Sequence, residues 1–121
     1  MSDSIHVDLS DLQPGASAEV TPAEALTFGH RRKVERAVQK APDDQRLDVF
    51  HLRRIAALVR SWTVKDAAGN DAPHPSAITL EQLESIPSRV VARILRTVEA
   101  EWRKATGGDE PEDPNSPSAS S

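Results

Sequence analysis

The densest apolar pattern of this chain lies in residues 46–66, RLDVFHLRRIAALVRSWTVKD. Large apolar residues recur there at steps of three and four, which is the spacing of one face of an α-helix. The apolar positions are Leu47, Phe50 (or His51), Ile55, Leu58, Val59 and Trp62, and Leu52 and Ala56 widen the face. We therefore expect a largely buried helix over residues 46–62, against which the shorter apolar segments of the chain pack.

A helix before this one is predicted from a start signal near residue 21. Thr21 suits the N-cap, Pro22 suits the first helical position, and the carboxylate of Glu24 can reach back to complete a capping box. The helix would then run to about residue 40. Phe28 and Gly29 interrupt its apolar pattern, so a late start near Gly29 is the alternative.

Two helices are predicted after a polar connection over residues 63–78. Thr79 and Gln82 form a capping box for a short helix, which ends because Pro87 follows. The last helix spans about residues 88–104. Its inward positions are Val90, Val91, Ile94, Leu95, Val98 and Trp102.

The two ends of the chain differ from this helical centre. Residues 5–9 alternate apolar and polar side chains, a turn follows at Pro14 and Gly15, and residues 18–20 can return as the second strand of a hairpin. Residues 105–121 are acidic and rich in proline and serine, which predicts disorder. The predicted fold class is mainly α: a small domain of three to four helices with a short N-terminal β-hairpin and a disordered acidic C-terminal tail. The predicted segments are 1–20, 21–104 and 105–121.

The composition offers no recognisable catalytic chemistry. The chain contains no cysteine, which excludes disulfides, thiolate metal sites and a cysteine nucleophile. Its four histidines are scattered without ligand spacing, and no glycine-rich phosphate loop or Ser-His-Asp arrangement is found. We predict that the protein is not an enzyme and has no cofactor and no metal. With 3% aromatic residues its core is aliphatic and small, so a partner can complete it.

Charge is segregated along the chain. Residues 21–65 hold ten Lys and Arg against five Asp and Glu, although the formal net charge of the chain is −4. The helix predicted over residues 30–40 could therefore follow a phosphate backbone. Its candidate cations are Arg31, Arg32, Lys33 and Arg36. The acidic net charge and the shortage of aromatic residues for base stacking argue against nucleic-acid binding. A small nucleic-acid-binding regulator is therefore kept as the alternative hypothesis and not as the leading one.

The sequence shows no signal for a membrane. No apolar run approaches the length of a membrane span, and the first residues, MSDSIHVDLSD, are acidic, unlike a signal peptide. We therefore expect no membrane association and a location in the cytoplasm of the cell that makes the protein.

A spaced set of residues in the second half of the chain carries a family resemblance. A helix ends in Ser-Trp with Asp, Gly and Pro following, and a Thr-Glu-Leu element then leads to Ile-Pro and a last helix. The matching residues are Ser61, Trp62, Asp66, Gly69 and Pro73, then Thr79, Glu81, Leu83, Ile86 and Pro87. Over about residues 5–104 this layout resembles small tail assembly chaperones of long-tailed phages and prophages, particularly those of actinobacterial hosts. The chain departs from the family pattern in a longer loop, where Asn70, Asp71 and residues 74–77 are inserted.

The resemblance implies a function and partners. Such a chaperone acts in the host cytoplasm, binds the long helical tape measure protein, keeps it soluble and helps bring tail tube protein to it. An aliphatic groove between helices can cover the apolar stripe of such a coiled-coil client. The candidate partner-binding residues are Leu58, Trp62, Leu83, Leu95 and Trp102. Self-association is left open, and so is a structural role as a neck or head–tail joining protein.

Overall fold

Four α-helices and a three-stranded antiparallel sheet form residues 4–107, which are the residues that the computed structural model describes. The strands are β1 (Ile5–Asp8), β2 (Ser17–Val20) and β3 (Val59–Thr63). The helices are α1 (Phe28–Lys40), α2 (Arg46–Leu58), α3 (Leu80–Glu84) and α4 (Ser88–Ala105). Single 3-10 turns cover Ala23–Ala25, Asp43–Gln45 and Pro75–Ala77. The predicted mainly α fold with an N-terminal hairpin is confirmed.

β2 is the central strand of the sheet and pairs antiparallel with both β1 and β3. Ala18 stands opposite Val7 on one side and opposite Trp62 on the other, and Val20 stands opposite Val59 beyond a bulge. The two valines of this pair, together with Val7 and Ala18, are buried, so one face of the sheet packs on the helices. A hairpin of four-residue strands is marginal by itself, and the third strand and the helices supply the packing that it needs.

The helix predicted over residues 46–62 is wrong at its end, because α2 stops at Leu58. Val59 has extended backbone, with φ −82° and ψ 112°, and begins β3. Val59 and Trp62 are β-branched and aromatic residues that suit a strand, and the free edge of β2 offers them backbone hydrogen-bonding groups. The amide of Thr21 donates to the carbonyl of Leu58 at 2.7 Å, where the helix changes into the strand.

The predicted helix start at Thr21 is also wrong, because α1 begins at Phe28, close to the alternative start. Thr21 is buried, and the chain after it forms a 3-10 turn. The hydroxyl of Thr27 accepts the amide of His30 at 3.2 Å, and Nδ1 of His30 accepts the amide of Thr27 at 2.9 Å. This pair is a reciprocal cap in which histidine takes the place that glutamate usually holds, so the helix begins after Thr27.

The C-terminal half follows the predicted order of elements. Thr79 and Gln82 form the predicted capping box, with side-chain to amide distances of 3.2 and 2.9 Å. α4 follows Pro87 and ends at Ala105, and the predicted tail beyond residue 107 lies outside the described residues. Among residues 4–107 no helix has the length and apolar character needed to cross a membrane.

The hairpin and the helices share one hydrophobic core, in which α2 is the central helix. α2 contacts each of the other helices and β3. Its core side chains are Leu52, Ile55 and Leu58, and those of α4 are Val90, Ile94 and Val98. α1 lies to one side of this core: it packs on α2, and Val34 is the buried residue of this helix. The position of α1 therefore leaves surfaces open along both of its flanks.

A buried carboxylate holds the first 3-10 turn against α4. Glu101 is 5% exposed, its Oε1 accepts the amide of Ala23 at 3.0 Å, and its Oε2 accepts Nζ of Lys104 at 2.9 Å. A buried charge costs free energy unless it is partnered, and both oxygens of this carboxylate have partners. Glu101 thus fixes the path of the chain between β2 and α1.

Replacing Glu101 by alanine is expected to lower the free energy of unfolding by about 1–3 kcal/mol, because the Ala23 amide loses a charged acceptor. Urea denaturation followed by circular dichroism measures the loss. Glu84→Ala is the matched control: Glu84 is exposed on α3, and its removal should change stability by less than about 0.5 kcal/mol. Equal losses in the two variants would contradict the role of Glu101.

An ion pair joins the hairpin loop to α4. Nη2 of Arg93 donates to Oδ2 of Asp11 at 3.1 Å, and Nη1 of Arg93 donates to the carbonyl of Asp8 at 3.3 Å. The hydrogen bond from Arg93 lowers the pKa of Asp11 below its ordinary value of 3.8. Because the pKa is depressed in the folded state, ionised Asp11 stabilises the fold above about pH 4, and this contribution is lost as the pH falls through the folded-state pKa.

We expect Asp11→Asn to lower the urea midpoint at about pH 7 and to lower it progressively less toward about pH 2, because the wild-type carboxyl becomes neutral as the pH falls through its folded-state pKa. Denaturation curves at three pH values between these limits measure the convergence. Asp44→Asn serves as control, because the Asp44 side chain is exposed and makes no hydrogen bond or ion pair within residues 4–107. A deficit of Asp11→Asn that is independent of pH would refute the ion pair as its source.

Candidate binding groove

An open groove lies where three helices meet: α1, the first half of α2 and the last turns of α4. Its volume is about 620 Å³. Leu47, Phe50 and Trp102 form its apolar wall, and we call this hollow the apolar groove. Charged side chains surround the wall, namely Arg31, Glu35, Arg54, Glu99 and Arg103. A concave apolar surface with a few charged groups at its border is the usual form of a binding site.

Two aromatic rings and a guanidinium group are packed together in the wall of the apolar groove. Phe50 and Trp102 meet edge to face, with ring centroids 6.1 Å apart and ring planes at 81°. The guanidinium carbon of Arg54 lies 3.9 Å from the centroid of the Phe50 ring, on its face. Edge-to-face and cation–π contacts are both favourable arrangements of a ring, so Phe50 is held on two sides.

Arg54 is a buried charge beneath this wall. Its side chain is 5% exposed, and Nη2 donates to Oε2 of Glu99 at 3.2 Å. Burial lowers the pKa of Arg54, while the hydrogen bond and the charge of Glu99 oppose that shift. Its Nε has no hydrogen-bond partner among the described residues. A buried and incompletely paired charge is costly for stability, and such groups are concentrated at functional sites.

Exposed apolar side chains extend the apolar groove at both ends. Leu47 is 66% exposed at one end, and Phe28 is 69% exposed beside a second hollow of about 150 Å³. The two hollows share Arg31, Trp102 and Thr106 in their walls. The two hollows therefore adjoin at Trp102, and exposed apolar side chains beside such hollows typically mark an interaction site.

The structure separates the five predicted partner-binding residues. Leu58 is fully buried and Leu83 is 7% exposed, so both side chains lie in the core. Trp62 is half-buried in β3, and its indole N–H donates to the carbonyl of Pro73 at 2.8 Å. Leu95 is half-buried against the core. Trp102 is the member of the set that lines the apolar groove.

Sequence reasoning missed Leu47, Phe50 and Phe28 as surface residues. Leu47 and Phe50 were assigned to the buried face of the central helix, and Phe28 was noted only as an interruption of a helical pattern. A usable signal was present, since the chain has four aromatic residues (Phe28, Phe50, Trp62 and Trp102) and three of them line the two hollows. Aromatic residues are enriched at binding hot spots, so their scarcity here made each of them informative.

The four predicted nucleic-acid contacts do not share one face of α1. Arg31 pairs with Glu35 at 3.1 Å and borders the apolar groove. The guanidinium of Arg32 lies 5.8 Å from the ring of Phe28. Lys33 and Arg36 point to the other flank of α1, into a separate hollow between α1 and α2. The basic segment is therefore divided between two surfaces.

No protein-family model, curated protein or solved structure matches this chain in the comparisons made.

Proposed function

We propose that this chain is a non-enzymatic assembly chaperone that binds one apolar helix of a client protein in the apolar groove. The client in this proposal is the coiled-coil region of a phage tape measure protein, and the place of action is the host cytoplasm. The observation that carries the proposal is the open groove itself, walled by Leu47, Phe50 and Trp102. The resemblance of the chain's layout to small tail assembly chaperones supplies the identity of the client and adds tail tube protein as a second partner.

The shape of the apolar groove favours a helix as the bound element. Side chains of α1, α2 and α4 line it, so a bound helix would pack against other helices. A client helix can place apolar residues three and four positions apart onto the two aromatic rings. Coiled-coil proteins expose such a stripe whenever their partner strand is missing, and they aggregate through it.

The charges around the apolar groove favour a client with carboxylates beside its apolar stripe. Three arginines line the groove against two glutamates, so its lining carries a surplus of positive charge. Glutamate beside an apolar seam is common in coiled coils, where it lies at the positions that flank the core residues. Arginine is well suited to bind such carboxylates, because its planar fork can donate two parallel hydrogen bonds.

The test is co-expression of the full chain with a coiled-coil fragment of the tape measure protein encoded in the same phage or prophage, followed by co-purification. The fragment is expected to be soluble with the chaperone and insoluble without it. The variant Leu47→Glu should weaken binding at least about tenfold, because a leucine that is buried by the client contributes about 1.5–3 kcal/mol. Isothermal titration with a soluble client peptide measures the change.

The matched control for this variant is Ala92→Glu, which adds the same charge at an exposed position of α4 outside the apolar groove. It should bind within about twofold of the wild type, because surface changes away from a contact have small effects. Both side chains are exposed, so both variants should fold, and circular dichroism verifies this. The proposal fails if the wild type does not bind the fragment, or if Leu47→Glu still keeps it soluble.

A further inference from the structure

A second hollow lies between α1 and α2, on the flank of α1 away from the apolar groove. Its volume is about 460 Å³, and none of its lining residues also lines the apolar groove. Lys33, Arg36 and Lys40 contribute from α1, and Arg53 contributes from α2. The floor consists of small or aliphatic residues such as Ala37 and Val49. We call this hollow the cationic cleft.

Among the described residues, the lining of the cationic cleft contains four cations and no acidic side chain. Within residues 4–107, none of the four side chains makes a hydrogen bond or an ion pair. The nearby Arg46 differs, since it pairs with Asp43 at 3.1 Å. Like charges that converge without neutralisation repel one another, so an anion bound between them would be favoured.

We propose that the cationic cleft binds the phosphate backbone of a nucleic acid without regard to base sequence. Lys33, Arg36 and Lys40 lie at positions i, i+3 and i+7 of one helix and extend along roughly 10 Å of its axis, given a rise of about 1.5 Å per residue. A nucleic-acid strand carries one charge per about 3.4 Å along the duplex axis, so this row faces about three successive phosphates. Arg53 closes the cleft from α2.

The side chains that line the cleft also determine how it can recognise a nucleic acid. Its lining among residues 4–107 contains no aromatic side chain, so bases have no ring there on which to stack. Its groups are cations on long side chains, which bind phosphate and fix the position of the backbone without reading bases. A sequence-independent affinity follows, with a dissociation constant of about 10⁻⁴ to 10⁻⁶ M at physiological salt.

The acidic net charge of the whole chain does not oppose this inference. Residues 4–107 contain fifteen Lys and Arg and fourteen Asp and Glu, so this part of the chain is close to neutral. The acidic surplus is contributed by Asp3, Asp109, Glu110, Glu112 and Asp113. The described residues therefore carry no acidic surplus that would cancel the positive charge of the cationic cleft.

The inference is independent of the proposed function, because the cationic cleft and the apolar groove share no residue. A chain with both surfaces would hold a helical client on one flank of α1 and a nucleic acid on the other. If the client does not bind, the nucleic-acid measurement still tests the cationic cleft. If nucleic acid does not bind, the client measurement still tests the apolar groove.

The experiment is fluorescence anisotropy of the full chain with a labelled DNA duplex and a labelled single strand, titrated over a series of sodium chloride concentrations. The logarithm of the duplex binding constant should fall with the logarithm of salt with a slope of about −3, from about three phosphate contacts. The double variant Lys33→Ala/Arg36→Ala should lose about two units of this slope and at least about tenfold in affinity at low salt.

The matched control is the double variant Arg32→Ala/Arg89→Ala, which removes the same net charge from exposed positions outside the cationic cleft. It should keep the affinity within about threefold and the salt slope within about one unit. Equal losses in the two double variants, or no binding at low salt, would overturn the proposal. Tighter binding of polyglutamate than of DNA would also overturn it and would indicate an acidic protein as the partner.

Discussion

The change from helix to strand at Leu58 and Val59 is the constraint on which the rest of this structure depends. α2 supplies the central layer of the core through Leu58 and its neighbours, and the next residue already pairs with β2. The Thr21 amide closes this junction on the Leu58 carbonyl at 2.7 Å. One continuous segment therefore joins the N-terminal hairpin to the helices. Without β3, the hairpin would have only two short strands, which are marginal in water.

This junction also explains why both candidate surfaces adjoin α1. The core is filled by α2, α4 and the sheet, so α1 is attached to α2 with Val34 as its buried side chain. A helix attached along one line leaves a hollow on each of its flanks, and the side chains on the two flanks differ. Arg31 and Glu35 stand beside aromatic rings on one flank, whereas Lys33 and Arg36 stand beside small residues on the other.

Local sequence patterns predicted the elements whose signals are local. The capping box of Thr79 and Gln82 and the periodic apolar positions of α4 depend on residues a few positions apart, and both were identified. The start of β3 at Val59 was not predicted, because Val59 and Trp62 satisfy the three-and-four spacing of a helix as well as the composition of a strand. What decides between them is pairing with β2, which lies about forty residues earlier and is not visible in a local window.

The apolar groove was harder to predict for a related reason. Periodicity identifies the apolar face of a helix, but it does not tell how far along the helix the covering elements extend. In α4 the buried series Val90, Ile94 and Val98 is followed one turn later by Trp102, where the cover ends. In α2 the apolar face begins at Leu47, which lies outside the part of the helix that other elements bury and is 66% exposed. The apolar groove is formed by these two overhanging ends, which are distant in sequence.

Arg54 gives this groove a property that hydrophobic packing alone would not give. Replacement of a buried, incompletely paired charge by an apolar side chain of similar volume is often neutral or stabilising, so stability is a weak reason for arginine at this position. Its guanidinium lies on the Phe50 ring at 3.9 Å and donates to Glu99 at 3.2 Å, and it thereby fixes a ring and a carboxylate of the wall together. A wall whose side chains are already held in place loses less conformational entropy when a helix binds, and that difference contributes directly to affinity.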